Sequence, residues 1–360
     1  MKGPPIIRIT PRFFLIVLFS LAPCLALAEG PTPTTYDLAC EAMTFKAGEI
    51  IVKFRAGVSQ DRTQSLLLRE NMRVLDKLDG PSTGLRPALS EAEVAGLGFM
   101  LLSVPNGQEL EKAEELKRNP LVEYAEPNYM MRMAEVRNPK SEIGNPGDVI
   151  PNDPYYPSQW NLPKIKAPAA WDITTGSHKV VIAVVDTGVD LDHPDIADKI
   201  WTNPGEIPGN KIDDDKNGYV DDVHGWDFVN LKGEPQDDHG HGTFVAGIAA
   251  AETNNGLLIA GVSWGAEIMP VKVVDNQGYS YHWNTAGGIS YAAKNGAKII
   301  IVSPSLYSFI DPQPLQAAIN DAYVRGTLIV AGSGDPNPRD PKPPGPDAYQ
   351  YPAALDRVVS

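Results

Sequence analysis

At 360 residues, 42% hydrophobic and 21% charged, the chain is long enough for one large and one small domain and too apolar to be disordered throughout. Its formal charge of -14 excludes the basic face that phosphate binding requires, and with it a nucleic-acid partner. In chain order, Lys2, Arg8 and Arg12 precede the apolar run Phe13 to Ala22, which is followed by Ala26-Leu27-Ala28. This order predicts a secretory signal peptide over residues 1–28 and a secreted product. The run is too short to span a bilayer, so no membrane association is expected once the signal is removed. Removal also takes Cys24, leaving Cys40 as the last thiol and no internal disulfide.

Residues 47–132 predict a small α+β module. "GEIIVKF", "FMLLSV" and "LVEYAEPNY" read as strands, while "SQDRTQSLLLREN" and "QELEKAEELKRN" read as amphipathic helices. A Pro/Gly/Asn-rich linker follows over 133–152, where periodicity vanishes. From 153 to 360 the pattern changes to short apolar runs, "VVIAVV", "IMPVKVV", "AKIIIV" and "TLIVA". They alternate with the helical stretches "TFVAGIAAA", "TAGGISYAAKN" and "PLQAAINDAYVR". Strands buried on both faces read as continuous apolar runs, and intervening helices imply a parallel sheet, so the fold class is α/β. Functional groups in such sheets collect at the carboxyl ends of strands, where Asp186, Ser303 and Asp335 stand.

Between the first run and its helix lies "NKIDDDKNGYVDDVHG". Asp213, Asp215, Asn217 and Asp221 alternate there, with Gly218 at the bend, much as an EF-hand loop opens. The closing Glu of that motif is replaced by His224. Calcium is the expected cofactor of this loop, a solvated acidic turn being the alternative.

Asp186 in "VVDTGVDLDHPDI" and His241 in "DHGHGTFVAG" form the second constellation. A buried carboxylate on one imidazole nitrogen fixes the tautomer and leaves the other nitrogen to take a proton from a hydroxyl. Taken singly, an Asp after a strand can be a cap and a lone His can be structural. Together and in this order, "DTGVDLDHPDI" followed by "HGTFVAGIAA" resembles the subtilisin-like serine peptidases, from about Asp153 to the last residue. The resemblance implies a subtilisin-like parallel sheet with helices on both faces, acting on protein or peptide substrates. Asp186 would orient His241, the base, with His239 a neighbour and His193 a loop residue. It also implies that 47–132 is a ferredoxin-like propeptide, bound intramolecularly over the cleft. The thermitase-like branch implies a second calcium site at Asp153, Asp195 and Asn255, with Leu258 where a glycine is usual.

Three positions depart from the family pattern. No Gly-Thr-Ser occurs in the 360 residues, and the serine turn of the family lies downstream of the strand that begins at Val358; a truncated, inactive chain with an incomplete sheet is therefore expected. Asp335 replaces the usual oxyanion asparagine, and an ionised carboxylate only accepts hydrogen bonds. The substrate edge reads Ser303-Pro304-Ser305, whose proline lacks a donor and whose last serine adds bulk, so weak pairing with an extended peptide is expected. Two other readings stay open, a non-catalytic calcium- or peptide-binding remnant and a propeptide that inhibits a related protease.

Overall fold

The computed structural model describes residues 44–78, 98–132, 149–308, 311–333 and 349–360. The signal segment, the linker up to residue 148 and Asp335 lie outside them. The N-terminal unit runs β1 (Phe45–Phe54), α1 (Gln60–Arg69), β2 (Arg73–Lys77), β3 (Phe99–Ser103), α2 (Glu109–Lys117) and β4 (Val122–Arg132). Its strands lie antiparallel in the order β2-β3-β1-β4, the arrangement of a ferredoxin-like unit. The apolar run in β1 is continuous because both of its faces are covered. Ile50 and Val52 pack with Leu102 under Leu66, Leu67, Ala113 and Leu116 of the two helices. Ile51, on the opposite face, packs with Leu101 into the core of the larger unit.

That larger unit contains α3 (Asn161–Lys164), α4 (Ala167–Trp171), β5 (Val181–Asp186), β6 (Trp226–Asp227), α5 (His241–Ala250), β7 (Glu267–Lys272) and β8 (Tyr279–Tyr281). It continues with α6 (His282–Lys294), β9 (Ile299–Val302), β10 (Leu306–Ser308), α7 (Gln313–Val324), β11 (Leu328–Ala331), β12 (Tyr349–Tyr351) and β13 (Val358–Val359). Six strands form a parallel sheet in the order β13-β11-β9-β5-β7-β6, and the four expected runs are β11, β9, β5 and β7. Helices cover both faces. Ile182, Val184 and Ile268 pack on Ala246 and Ala250 of α5. Ala183, Val185, Val271 and Ile300 meet Ala286 and Ile289 of α6 and Leu315 and Ile319 of α7.

The two units share one sheet. β4 continues past β1 to pair antiparallel with β8, giving the order β2-β3-β1-β4-β8. At this seam Trp283 donates its indole N–H to Asp76 at 2.9 Å and its backbone N–H to Asn128 Oδ1 at 3.3 Å. His282 Nδ1 lies 3.2 Å from Glu126 Oε1, both side chains buried. Asn128 thus accepts one of the unpaired N–H groups in the first turn of α6, the role usually taken by a capping side chain of the helix itself. Burial pushes the Asp76 carboxyl above its ordinary range, opposed by the bond from Trp283. Among the described residues no helix is long and apolar enough to cross a membrane.

Candidate active site

Asp186 ends β5, fully buried, and His241 opens α5. His241 Nδ1 lies 3.0 Å from Asp186 Oδ1 and 2.9 Å from Oδ2. A carboxylate only accepts, so Nδ1 carries the proton and Nε2 is left as the basic nitrogen. The pair meets because α5 approaches the turn after β5 closely. A Cβ on Gly242 would stand 2.0 Å from Gly188 O, so no larger residue fits there without moving the helix. Gly242 N–H donates to Thr187 Oγ1 at 2.9 Å, and Thr187 N–H donates to Asp186 Oδ1 at 2.6 Å.

Asp237 and Lys272 hold this arrangement, and neither stood out in the sequence. The Asp237 carboxylate accepts from the N–H groups of His239, Gly240 and Thr243 and from the Thr243 hydroxyl, closing the start of α5. Burial pushes its pKa up, but these bonds win and hold it below the ordinary carboxylate range. Lys272, buried at the end of β7, donates to Thr187 O at 2.7 Å, Val274 O at 3.1 Å and Asp238 Oδ1 at 2.5 Å. One ammonium therefore joins the turn after Asp186 to the loop leading to His241. His239 and His193 stay outside the Asp186–His241 pair, His193 accepting from Asp195 N–H at 3.3 Å.

The end of β4 lies between β8 and Ser305. Ser305 and Arg132 exchange both backbone hydrogen bonds, Arg132 N–H to Ser305 O at 2.7 Å and Ser305 N–H to Arg132 O at 2.6 Å. On its other edge, β4 pairs Met130 with Tyr281, Met131 with Ser280 and Arg132 with Tyr279. The expectation of weak pairing at 303–305 concerns a peptide guest; the pairing present is with the chain's own Arg132. An antiparallel partner bonds at alternate residues, so Pro304 falls where no donor is needed. The Ser305 hydroxyl is drawn to Gln350, which donates to it at 2.9 Å. Ser303 N–H meets Val185 O at 3.3 Å. Met131 is fully buried in the core of the larger unit, a burial worth about 1.5–3 kcal/mol for a side chain of this size.

The acidic loop gathers a different set from the one its spacing suggested. Oxygens of Glu206, Asp213 and Asp215 lie within 4.8 Å of one another, close enough for a cation that takes oxygens at 2.3–2.6 Å to bridge them. Glu206 Oε2 and Asp213 Oδ1 are buried without a hydrogen-bond partner. Burial raises the pKa of both, and the neighbouring Asp215 charge adds to each shift. Buried, crowded acceptors with orphan oxygens fit a hard divalent cation. Asn217 instead turns its amide nitrogen to Asp215 at 3.1 Å and Asp222 at 3.0 Å. Asp221, also expected as a ligand, adopts a left-handed backbone, and its carboxylate accepts from Gly209 and Lys211 N–H.

Asp222 supports the loop from beneath. It accepts from Tyr291 O–H at 2.6 Å, Asn217 Nδ2 at 3.0 Å and Asn203 Nδ2 at 3.1 Å, while burial pushes its carboxyl up to about 6. Tyr291→Phe is expected to lower the unfolding free energy by about 1–3 kcal/mol, because a buried acceptor loses a donor. A urea midpoint unchanged from the parent would contradict this.

At the second expected calcium site, Asp195 Oδ1 accepts from Asn255 Nδ2 at 2.9 Å and Asp195 Oδ2 from Ile259 N–H at 3.1 Å. Buried Asp153 accepts from Asn254 N–H at 2.8 Å, and its other oxygen has no partner. Leu258 stands at φ 22°, a strained backbone where the resemblance places glycine.

A profile of the Subtilase family matches residues 177–360, and one of the fervidolysin N-terminal prodomain matches 41–128. Thermitase of Thermoactinomyces vulgaris is 43% identical over 211 residues, covering 58% of this chain and 64% of its own. A thermophilic serine proteinase of Bacillus sp. (strain AK1) is 33% identical over 329 residues, covering 89% of this chain and 69% of its own. Fervidolysin of Fervidobacterium pennivorans, a keratinolytic enzyme related to subtilisin, shares the fold with a TM-score of 0.57 at 21% identity. That match covers 86% of this chain and 42% of the fervidolysin chain.

Proposed function

We propose, from the premise that the chain belongs to the subtilase family, that it is the precursor of a secreted serine endopeptidase. One observation carries the reading, the Asp186 carboxylate lying 2.9 Å from His241 Nδ1. In that chemistry Nε2 of His241 takes the proton of an attacking hydroxyl and returns it to the leaving amine, while Asp186 stabilises the imidazolium. The 360 residues contain no Gly-Thr-Ser, so we assign them no nucleophile. Hydrolysis is proposed for a chain that carries that turn in addition.

Residues 1–28 are assigned to export, and 47–132 to a prodomain whose end fills the substrate groove, supported by the pairing of Arg132 with Ser305 and Tyr279. Calcium is assigned to Glu206, Asp213 and Asp215, where it would supply positive charge to three crowded carboxylates, of which Glu206 is buried and Asp215 exposed. A second calcium is assigned to Asp153, Asp195 and Asn255. Asp335 is assigned the oxyanion position and lies outside the described residues.

The test is expression of the chain continued through the coding residues that follow Ser360, in the frame that supplies a Gly-Thr-Ser-x-Ala turn. The continued chain is expected to hydrolyse a fluorogenic peptide and to be labelled at that serine by an organophosphorus fluoride. The 360-residue chain should do neither, and intact-mass measurement should find its 133–152 linker uncut. Absence of such a turn in every frame, or hydrolysis by the 360-residue chain itself, would defeat the proposal.

A further inference from the structure

Three residues at the end of β4 pair with β8, and the last of them, Arg132, also pairs with Ser305. Arg132 is paired on both backbone edges, with Ser305 and with Tyr279. Its guanidinium carbon stands 5.1 Å from the centroid of the Tyr279 ring, within cation–π reach. Among the described residues no carboxylate lies within ion-pair distance of Arg132, so the ring is the partner its charge has found. Tyr281 lies two residues along β8, on the same face of the strand, and Lys46 Nζ stands 5.5 Å over its ring. Both tyrosines of this short strand therefore carry a cation from the N-terminal unit.

We propose that Tyr279 is a specificity-determining residue, an aromatic platform that gives the groove a preference for Arg or Lys at the peptide residue bonded to Ser305. This rests on the reading of the groove as the substrate groove. A planar ring presents its negative face to any cation laid along β8, whereas an acidic side chain there would meet that face and the nearby Asp275, whose carboxylate accepts from Tyr279 N–H at 2.9 Å. The seat at Ser305 touches only the backbone of its guest, through the Ser305 N–H and C=O and through the Ser305 hydroxyl, which donates to Arg132 O at 3.4 Å, so the side-chain choice falls to the ring.

The full chain serves as its own assay, because the occupant is covalently supplied. Hydrogen exchange of the Ser305 amide is to be followed for Arg132 and for Arg132→Lys, Arg132→Gln, Arg132→Leu and Arg132→Glu. Expected protection falls in the order Arg and Lys, then Gln and Leu, then Glu, with about a two- to fivefold step on losing the cation. Tyr279→Phe should keep this order, and Tyr279→Leu should flatten it to within about twofold, which separates the ring from attraction by the protein's net negative charge. Protection by leucine equal to that by arginine, or an order that survives Tyr279→Leu, overturns the proposal. Should Tyr279→Leu fail to fold, the position-132 series in the parent is repeated at about 1 M salt, which screens attraction by the net charge: an order that persists there supports the ring, and an order that vanishes overturns the proposal. None of these readings involves turnover, so failure of the catalytic assignment would show separately, as absence of hydrolysis in the serine-bearing chain.

Discussion

Replacing His241 by alanine in the serine-bearing chain is expected to lower kcat about 10⁶-fold with KM little changed, the loss found when a subtilisin triad loses its histidine. That corresponds to about 8 kcal/mol of transition-state stabilisation. The size follows from the geometry. His241 is the one imidazole held by the buried Asp186, and neither His239 nor His193 shares that carboxylate. Asp186→Asn should cost less, about 10⁴-fold, because the histidine stays but its Nδ1 proton loses an obligate acceptor and the wrong tautomer becomes available. Kinetics on a peptide p-nitroanilide check both. A His241→Ala enzyme within a hundredfold of the parent would remove His241 from the role of base.

Calcium at about a hundred times its Kd is expected to stabilise the chain by about 2.7 kcal/mol through the Glu206–Asp213–Asp215 cluster. Asp213→Ala with Asp215→Ala should abolish the contribution of this cluster. Glu206→Gln provides the sharper test because its sign depends on the metal. In chelator the substitution removes a buried carboxylate whose pKa is raised by burial, and stability should hold or rise. In calcium the same substitution removes a charged ligand and should reduce the gain. Melting curves in chelator and in calcium decide it. A calcium response equal to the parent's in both Glu206→Gln and the Asp213/Asp215 double variant would move the cation elsewhere.

The sequence made the sheet legible through runs such as Val180 to Val185 and Lys298 to Val302, whose two buried faces leave no polar alternation. Asp186 and His241 were legible because the motifs around them are local. Glu206 was not. It reaches the acidic loop across a Pro/Gly turn seven residues upstream of Asp213, and nothing in its own neighbourhood marks it. β2 escaped notice because Arg73, Val74 and Leu75 are exposed at a sheet edge and show no periodic burial. Alternating spacing likewise does not reveal that Asp221 is a left-handed residue whose carboxylate accepts from Gly209 and Lys211 N–H.

The shared sheet has one more consequence. While β4 is in place, the N–H and C=O groups of β8 that face it are paired and β8 offers no edge on that side. When β4 leaves, that edge is bared together with the facing seat at Ser305. An uncovered strand edge invites pairing with other chains, but one of three residues is too short to template an intermolecular sheet and long enough to hold a single peptide. The brevity of β8 thus favours transient guests over self-association.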